Sequence, residues 1–226
     1  MAKKTDNTEE KIMAVEEALS KSEVFIERNQ KLLGIIAGAI ALLVLAYFGF
    51  QRFYLMPREK EAQSQMFMAE KYFEMDSLKL ALNGDGMYPG FLGIIDDYGI
   101  TRSAKLAHYY AGIIYLNEGQ YEEAISHLQK FKIKDNMVLP MAKGAIGDAY
   151  MELGKTGEAA DYYLKAADTY INDFTTPLFL QKAAWAYEEA GNTEKALEAY
   201  ERIRIDFPRS AESRDVEKYI ARLKGQ

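Results

Sequence analysis

The chain has no cysteine. That excludes a disulfide framework, a cysteine zinc site, a thiol nucleophile and a lipidated cysteine anchor. Histidine is nearly as scarce. The two present, His108 and His127, are too few for a multi-histidine metal centre. Positive charge is in deficit: 28 Lys and Arg stand against 34 Asp and Glu, a net charge of -6. That balance argues against nucleic acid as the main partner. Disorder is excluded as well, because 49% of the 226 residues are hydrophobic and 27% charged. The length suits one domain with an appendage.

The appendage is legible near the N-terminus. Residues 32–50 read LLGIIAGAIALLVLAYFGF without a charge. At 1.5 Å per residue this run approaches the thickness of a bilayer core. Lys31 precedes it, and Arg52, Phe53 and Tyr54 follow as cationic and aromatic flanks. A soluble core helix of that length would carry a polar face. The acidic stretch before the run and the lack of a small-residue cleavage pair after it fit an uncleaved anchor rather than a signal peptide. Orientation stays open on charge alone. Lys21, Arg28 and Lys31 lie before the span, and Arg52, Arg58, Lys60 and Lys71 after it. Within the span, Gly34 and Gly38 form a GxxxG pair, the candidate contact for another membrane helix. In the charged segment 1–31, Ile12, Val15, Leu19 and Ile26 recur at helical spacing. That suits a solvated helix or an interfacial one.

Residues 57–226 alone carry the whole net charge of -6, and they repeat. Gly112, Tyr115, Gly119, Tyr121 and Ala124 have counterparts in Gly147, Tyr150, Gly154, Thr156 and Ala159. Ala184, Tyr187, Gly191, Thr193 and Ala196 form a third copy. Each copy reads as a helical hairpin. A small residue admits the neighbouring helix, a Tyr fills the gap beside it, and a Gly ends the first helix in the left-handed conformation. Pro140 and Pro177 suit the first turn of a new hairpin. Ser210 suits the cap of a last helix with Val216, Tyr219, Ile220 and Leu223 as its apolar stripe.

Residues that could carry chemistry are few. Asn83, Gly84, Asp85 and Gly86 lack the carboxylates of a calcium loop and read as a turn. His108 is expected packed and His127 exposed, with no third ligand at a metal spacing. Asp96 and Asp97 are adjacent and point apart on a helix. No nucleophile elbow or phosphate loop is present, so the chain reads as non-enzymatic, with no cofactor and no metal.

The repeat spacing resembles the tetratricopeptide repeat (TPR), whose signature it matches at Gly112, Tyr115, Gly119, Tyr121 and Ala124; at Gly147, Tyr150, Gly154, Ala159, Tyr163 and Ala166; and at Tyr187, Gly191, Ala196, Tyr200 and Pro208. His108, Lys143 and Leu180 stand where the family has a bulky Trp. With the apolar run, the resemblance implies an all-α fold: a single N-terminal transmembrane helix (32–56 with its interfacial flank), read from that run, then a TPR α-solenoid at 57–226. Within it, a degenerate first hairpin covers 57–102, with a long helix at 59–82 and a shorter one at 91–98. Repeats fall near 105–138, 140–173 and 177–208, and a capping helix covers 210–224. In TPR arrays the first helix of each hairpin lines a groove. The candidate groove residues here are Tyr109, Ile113, Leu116, Asp148, Met151, Gln181, Trp185 and Glu188. The positions matching a carboxylate clamp are Tyr109, Ile113, Ala145, Leu178 and Lys182. Only Lys182 is basic, so the groove suits an apolar or extended polypeptide.

The order of parts is similar to that of YfgM-like proteins, ancillary subunits of the SecYEG translocon. The stretch FIERNQK at 25–31 runs into the membrane as in that family. DYGIT at 97–101, followed by Ala104, Leu106 and Ala107, leads into the first clear repeat. The Tyr- and Met-rich composition and the loop at 82–86 resemble the Bacteroidetes branch. The resemblance implies an inner-membrane protein with a cytoplasmic N-terminus and a periplasmic TPR domain. Its implied partners are the SecYEG translocon, a PpiD-type chaperone and newly exported polypeptides. A periplasmic TPR scaffold for envelope assembly or cell division is the second reading.

Overall fold

The computed structural model describes residues 3–225, and side chains from residue 25 onward. The chain divides into two units, Met1–Met56 and Pro57–Gln226. In the first, helix α1 runs Lys3–Phe50, and a π-helical turn follows at Gln51–Leu55. From residue 25 this unit exposes its apolar side chains: Ile35, Leu42, Leu43 and Leu45 are each about two-thirds exposed. By length and composition one helix among the described residues can cross a membrane. The side chains of Ile12, Val15 and Leu19 lie outside the described residues.

The second unit is all-helical among the described residues, apart from one isolated bridge between Gly84 and Pro89. Its helices are α2 (Met56–Glu74), α3 (Leu78–Asn83), α4 (Phe91–Tyr98), α5 (Arg102–Asn117), α6 (Tyr121–Leu128), α7 (Val138–Glu152), α8 (Thr156–Ala167), α9 (Thr175–Glu189), α10 (Thr193–Asp206) and α11 (Ser213–Lys224). Helices α5–α6, α7–α8 and α9–α10 form three hairpins. Each first helix ends at a glycine with positive φ: Gly119 at 75°, Gly154 at 70° and Gly191 at 75°. The residue after each glycine donates its N–H back to the repeat's Tyr: Gln120 to Tyr115, Lys155 to Tyr150 and Asn192 to Tyr187, at 2.8–2.9 Å. These are Schellman ends, which satisfy carbonyls the helix cannot.

The expected long helix at 59–82 is broken, and the break is informative. Asp76 takes φ 56°, Asp76 N–H donates to Phe73 and Ser77 N–H donates to Tyr72. The same Schellman end therefore closes α2, with Asp in the place of Gly (Asp tolerates the left-handed region better than most residues). Ala69, Tyr72, Asp76 and Ala81 then hold the spacing of Gly112, Tyr115, Gly119 and Ala124. Ala69 and Ala81 are fully buried. The first hairpin is thus a repeat whose second helix, α3, stops after six residues. A loop and α4 interrupt it. In that loop Asp85 Oδ1 accepts N–H bonds from Met87 and Tyr88, and Oδ2 accepts the Tyr72 hydroxyl at 2.7 Å. Asp85 therefore closes a turn.

The core follows the hairpins. Met66 and Ala69 of α2 pack with Phe91 and Ile94 of α4 and Ala107 and Ile114 of α5. Rings of Phe91 and Tyr110 stack at 4.7 Å. Two further clusters fill α6–α7 and α8–α11. Helix α11 covers the last hairpin with Val216, Ile220 and Leu223, and Ser210 Oγ accepts the Ser213 N–H at 3.2 Å.

Candidate functional site

First helices α5, α7 and α9 carry the groove residues expected from sequence. On α5, Tyr109, Ile113 and Leu116 are half-buried and pack on the α6–α7 core. Tyr109 meets the ring of Phe131 at 5.4 Å, and burial raises its phenol pKa. On α7, Met151 packs on the next core cluster. Part of the expected groove is therefore interior surface between hairpins, because residues there are shared with the following repeat. Gln181 and Glu188 are half-buried on α9, and Trp185 is the freest of the set at 46% exposed.

The acidic groove residues are engaged within the fold. Asp148 accepts the Tyr163 hydroxyl at 2.6 Å and the Lys182 ammonium at 2.7 Å. Lys182 also lies 5.5 Å from the Tyr163 ring centre. Glu188 accepts the Tyr200 hydroxyl at 2.7 Å and pairs with Arg222. Burial, and then the bonded carboxylate, push both phenols above the ordinary tyrosine range. Lys182, the single basic residue at the clamp positions, is thus held by Asp148. Ala145 is buried and Leu178 half-buried.

An open cleft of about 500 Å³ lies at the start of α5. Its apolar wall is Met66 of α2, Leu106 of α5, Phe131 and Ile133 of the α6–α7 connection, and Val138 at the start of α7. Leu106 stands one turn before Tyr109, so cleft and groove share α5. Two acidic residues at the rim are committed to helix starts. Glu59 accepts the N–H groups of Arg102 (2.6 Å) and Ser103 (3.1 Å) and the Ser103 hydroxyl (2.8 Å). Asp135 accepts from Met137 and Val138, and those bonds hold its pKa below the usual carboxylate value. Glu70, also on the wall, has its pKa raised by burial and by Glu74. Sequence reasoning missed this cleft, because most of its residues belong to the irregular connection and the degenerate hairpin.

His127 is not exposed as expected. Its Nδ1 lies 3.1 Å from Nδ1 of His108, joining α5 to α6, and both rings are half-buried. Burial lowers both pKa values, that of His108 to about 4. Among the described residues no group of three potential ligands could hold a metal. Asp96 and Asp97 are both exposed on α4. In the first unit, a Cβ built on Gly34 or Gly38 meets nothing within 4 Å, so that helix face is open.

Comparison with known proteins agrees with this geometry. Tetratricopeptide repeat models match residues 106–134, 142–169 and 180–210. Among solved structures, the chain is similar to the TPR-like repeats of a kinesin light chain from Podosopora anserina. The TM-score is 0.54 at 16% identity, covering 74% of this chain and 87% of that one. A single-substitution form of the same repeats gives 0.53 at 16% identity, covering 74% and 86%. At such identity the likeness is one of fold. No curated protein matches the chain.

Proposed function

We propose that this chain, whose three hairpins match tetratricopeptide-repeat models, is a non-catalytic protein-interaction scaffold and an accessory subunit of the Sec translocon in the bacterial inner membrane. Its N-terminus is cytoplasmic, and its repeats face the periplasm. There they bind partner proteins and assist newly exported polypeptides. The observation that carries this reading is the order of parts in one chain: a helix able to span a membrane, then a repeat array with an apolar cleft. The similarity of layout to YfgM-like proteins supplies the SecYEG and PpiD-type partners.

The groove contribution rests on Tyr109, Ile113 and Leu116, together with Trp185 on α9. Asp148, Met151, Gln181 and Glu188 shape the groove. Because Asp148 and Glu188 are already paired, an incoming chain gains from apolar contact and not from new ion pairs at those positions. Gly34 and Gly38 present the open helix face for a membrane partner.

The test is photo-crosslinking in native membranes from residues placed at Gly38 and Trp185, read by mass spectrometry. Adducts from 38 to translocon or PpiD-type helices, with 185 reaching exported chains, are the expected result. Adducts to division or outer-membrane assembly proteins would replace this function with the envelope scaffold.

A further inference from the structure

A second cavity, of about 370 Å³, opens between α6, α7 and α8. Its floor is apolar: Leu128, Leu139, Ala142 and Ile146, with Tyr162 at one side. That volume and lining fit a site for a side chain or small ligand. Its rim is basic, carrying Lys132, Lys134 and Lys143. In a domain of net charge -6, such a cluster is out of keeping with its surroundings.

None of the three lysines pairs with a carboxylate among the described residues. Lys143 is half-buried, and its ammonium finds only the Thr169 hydroxyl, at 2.6 Å. Burial and the neighbouring Lys165 lower its pKa. A half-buried ammonium without a counter-charge is an electrostatic deficit that an incoming carboxylate would fill. Lys165 itself lies 4.5 Å from the Tyr162 ring centre, so a fourth cation borders the same opening.

The segment between α6 and α7 adds the third feature. Residues 132–134 form no helix, and their N–H groups make no hydrogen bond among the described residues. Free N–H groups beside an apolar hole are what an extended chain needs to dock. Lys132 and Lys134 are both exposed and two residues apart, a separation of roughly 7 Å along extended backbone. Alternate residues of a second extended chain have the same spacing.

We propose that this cavity is a second docking site, which takes an acidic, extended segment of a partner polypeptide with one large apolar side chain inserted. The proposal rests on the reading that the repeats bind polypeptide, and names the chemistry of one partner. The groove around Tyr109 and Trp185 takes apolar chain; the lysine-rimmed cavity takes acidic chain. The two sites are then separable by mutation.

The experiment uses the full chain in phosphatidylcholine nanodiscs, which carry no net lipid charge. The probe is a fluorescein-labelled peptide with a central Phe flanked by alternating Glu, followed by anisotropy. Lys132→Glu with Lys134→Glu weakens binding by about tenfold or more, as does raising salt from about 50 to about 300 mM. Lys143→Met weakens it several-fold, and changing the peptide's Phe to Ser removes it. Melting curves of the variants, matched to the parent, separate lost docking from lost folding. Trp185→Ala, at a residue that lines neither cavity, leaves this peptide bound while releasing an apolar client, so failure of the groove reading is seen apart from failure of this one. Equal binding of a Lys-for-Glu peptide, indifference to the lysine variants, or no saturation by about 1 mM each overturns the proposal. Saturable laurate uptake that the lysine variants abolish, without peptide binding, overturns it in favour of a fatty acid.

Discussion

Gly144 offers a sharp test of how tightly the hairpins stack. It lies within α7, directly under the ring of Phe179 from α9. A methyl group there would stand 2.0 Å from Cε1, 2.4 Å from Cζ and 3.0 Å from Cδ1. Phe179 is 2% exposed, so the ring has no open space to enter. Two terms oppose each other in Gly144→Ala. Alanine is favoured over glycine in a helix interior by about 1 kcal/mol. Overpacking costs roughly 1–3 kcal/mol, and more when a ring rather than a flexible chain end must move. An approach of 2.0 Å lies far inside contact distance, which puts the second term at its upper end; less the propensity gain, the variant loses about 1–2 kcal/mol. Gly157, in the first turn of α8, is the control, because a Cβ there meets nothing within 4 Å. Gly157→Ala keeps the propensity gain without the clash and is stabilised by about 0.5 kcal/mol. Urea unfolding of the full chain in detergent, followed by circular dichroism, reads both. With a slope of about 1–3 kcal/mol/M, Gly144→Ala lowers the midpoint by roughly 1 M, and Gly157→Ala raises it slightly. Adding Phe179→Leu to Gly144→Ala recovers part of the loss. A Gly144→Ala midpoint at or above the parent's, with unchanged slope, would refute the stacking argument.

Two further outcomes follow from single contacts. The folded state holds His108, and to a lesser degree His127, neutral below the usual imidazole pKa. The unfolded chain therefore binds more protons, so stability is complete above pH 6.5 and declines as pH falls toward 4. For half-exposed rings the loss is about 1–2 kcal/mol after solvent screening. The difference between the parent and His108→Asn with His127→Asn, measured from pH 7 to pH 4.5, isolates it from carboxylate titration; a parallel pair of curves would contradict it. Glu59→Ala removes the acceptor for two orphan N–H groups at the start of α5 and lowers stability by about 1–2 kcal/mol. Amide exchange at Arg102 and Ser103 should quicken before the global transition shifts, and unchanged exchange would assign the cap elsewhere.

The hairpins were legible because their constraints are local. A small residue, a Tyr three later and a Gly four beyond that specify a helix, a close crossing and a left-handed end within one short window. A degenerate first hairpin was legible at 57–102, but the break inside its expected long helix escaped for two physical reasons. Asp76 performs the left-handed turn that Gly performs elsewhere, and the loop after α3 displaces the repeat from its register. The signal was present in Ala69, Tyr72 and Ala81, once Asp is admitted at the turn position. The cleft and the lysine-rimmed cavity were beyond sequence reading. Both depend on the path of the irregular segment around Phe131, which lines one on each side. Similarly, nothing in the spacing of His108 and His127 says that their rings meet.

The repeats differ in how their inner positions are occupied, and that difference bears on where a partner can gain energy. Gly112 sits under Leu128, whereas Gly147, its counterpart, sits under Tyr163. The residue after each glycine follows suit: Ile113 packs on the apolar cluster that includes Leu128, and Asp148 accepts the Tyr163 hydroxyl. In the last repeat Tyr200 again reaches an acid, Glu188. In both later repeats a cation 34 positions beyond the acid, Lys182 or Arg222, completes the triad from the next structural unit. These triads tie α7 to α8 and α9, and α9 to α10 and α11. They satisfy the polar groups of the inner surface before any ligand arrives. Opening one would leave a half-buried carboxylate or ammonium unpaired, which costs more than a surface contact returns. The first clear repeat has no such triad at its matching positions, Ile113 and Leu128, and its residues line both cavities together with those of α7. In the proposed binding role, the surface that can be used without loss of internal bonds lies on α5, the α6–α7 segment and the exposed face of Trp185. The triads of the later repeats would then hold that surface in place.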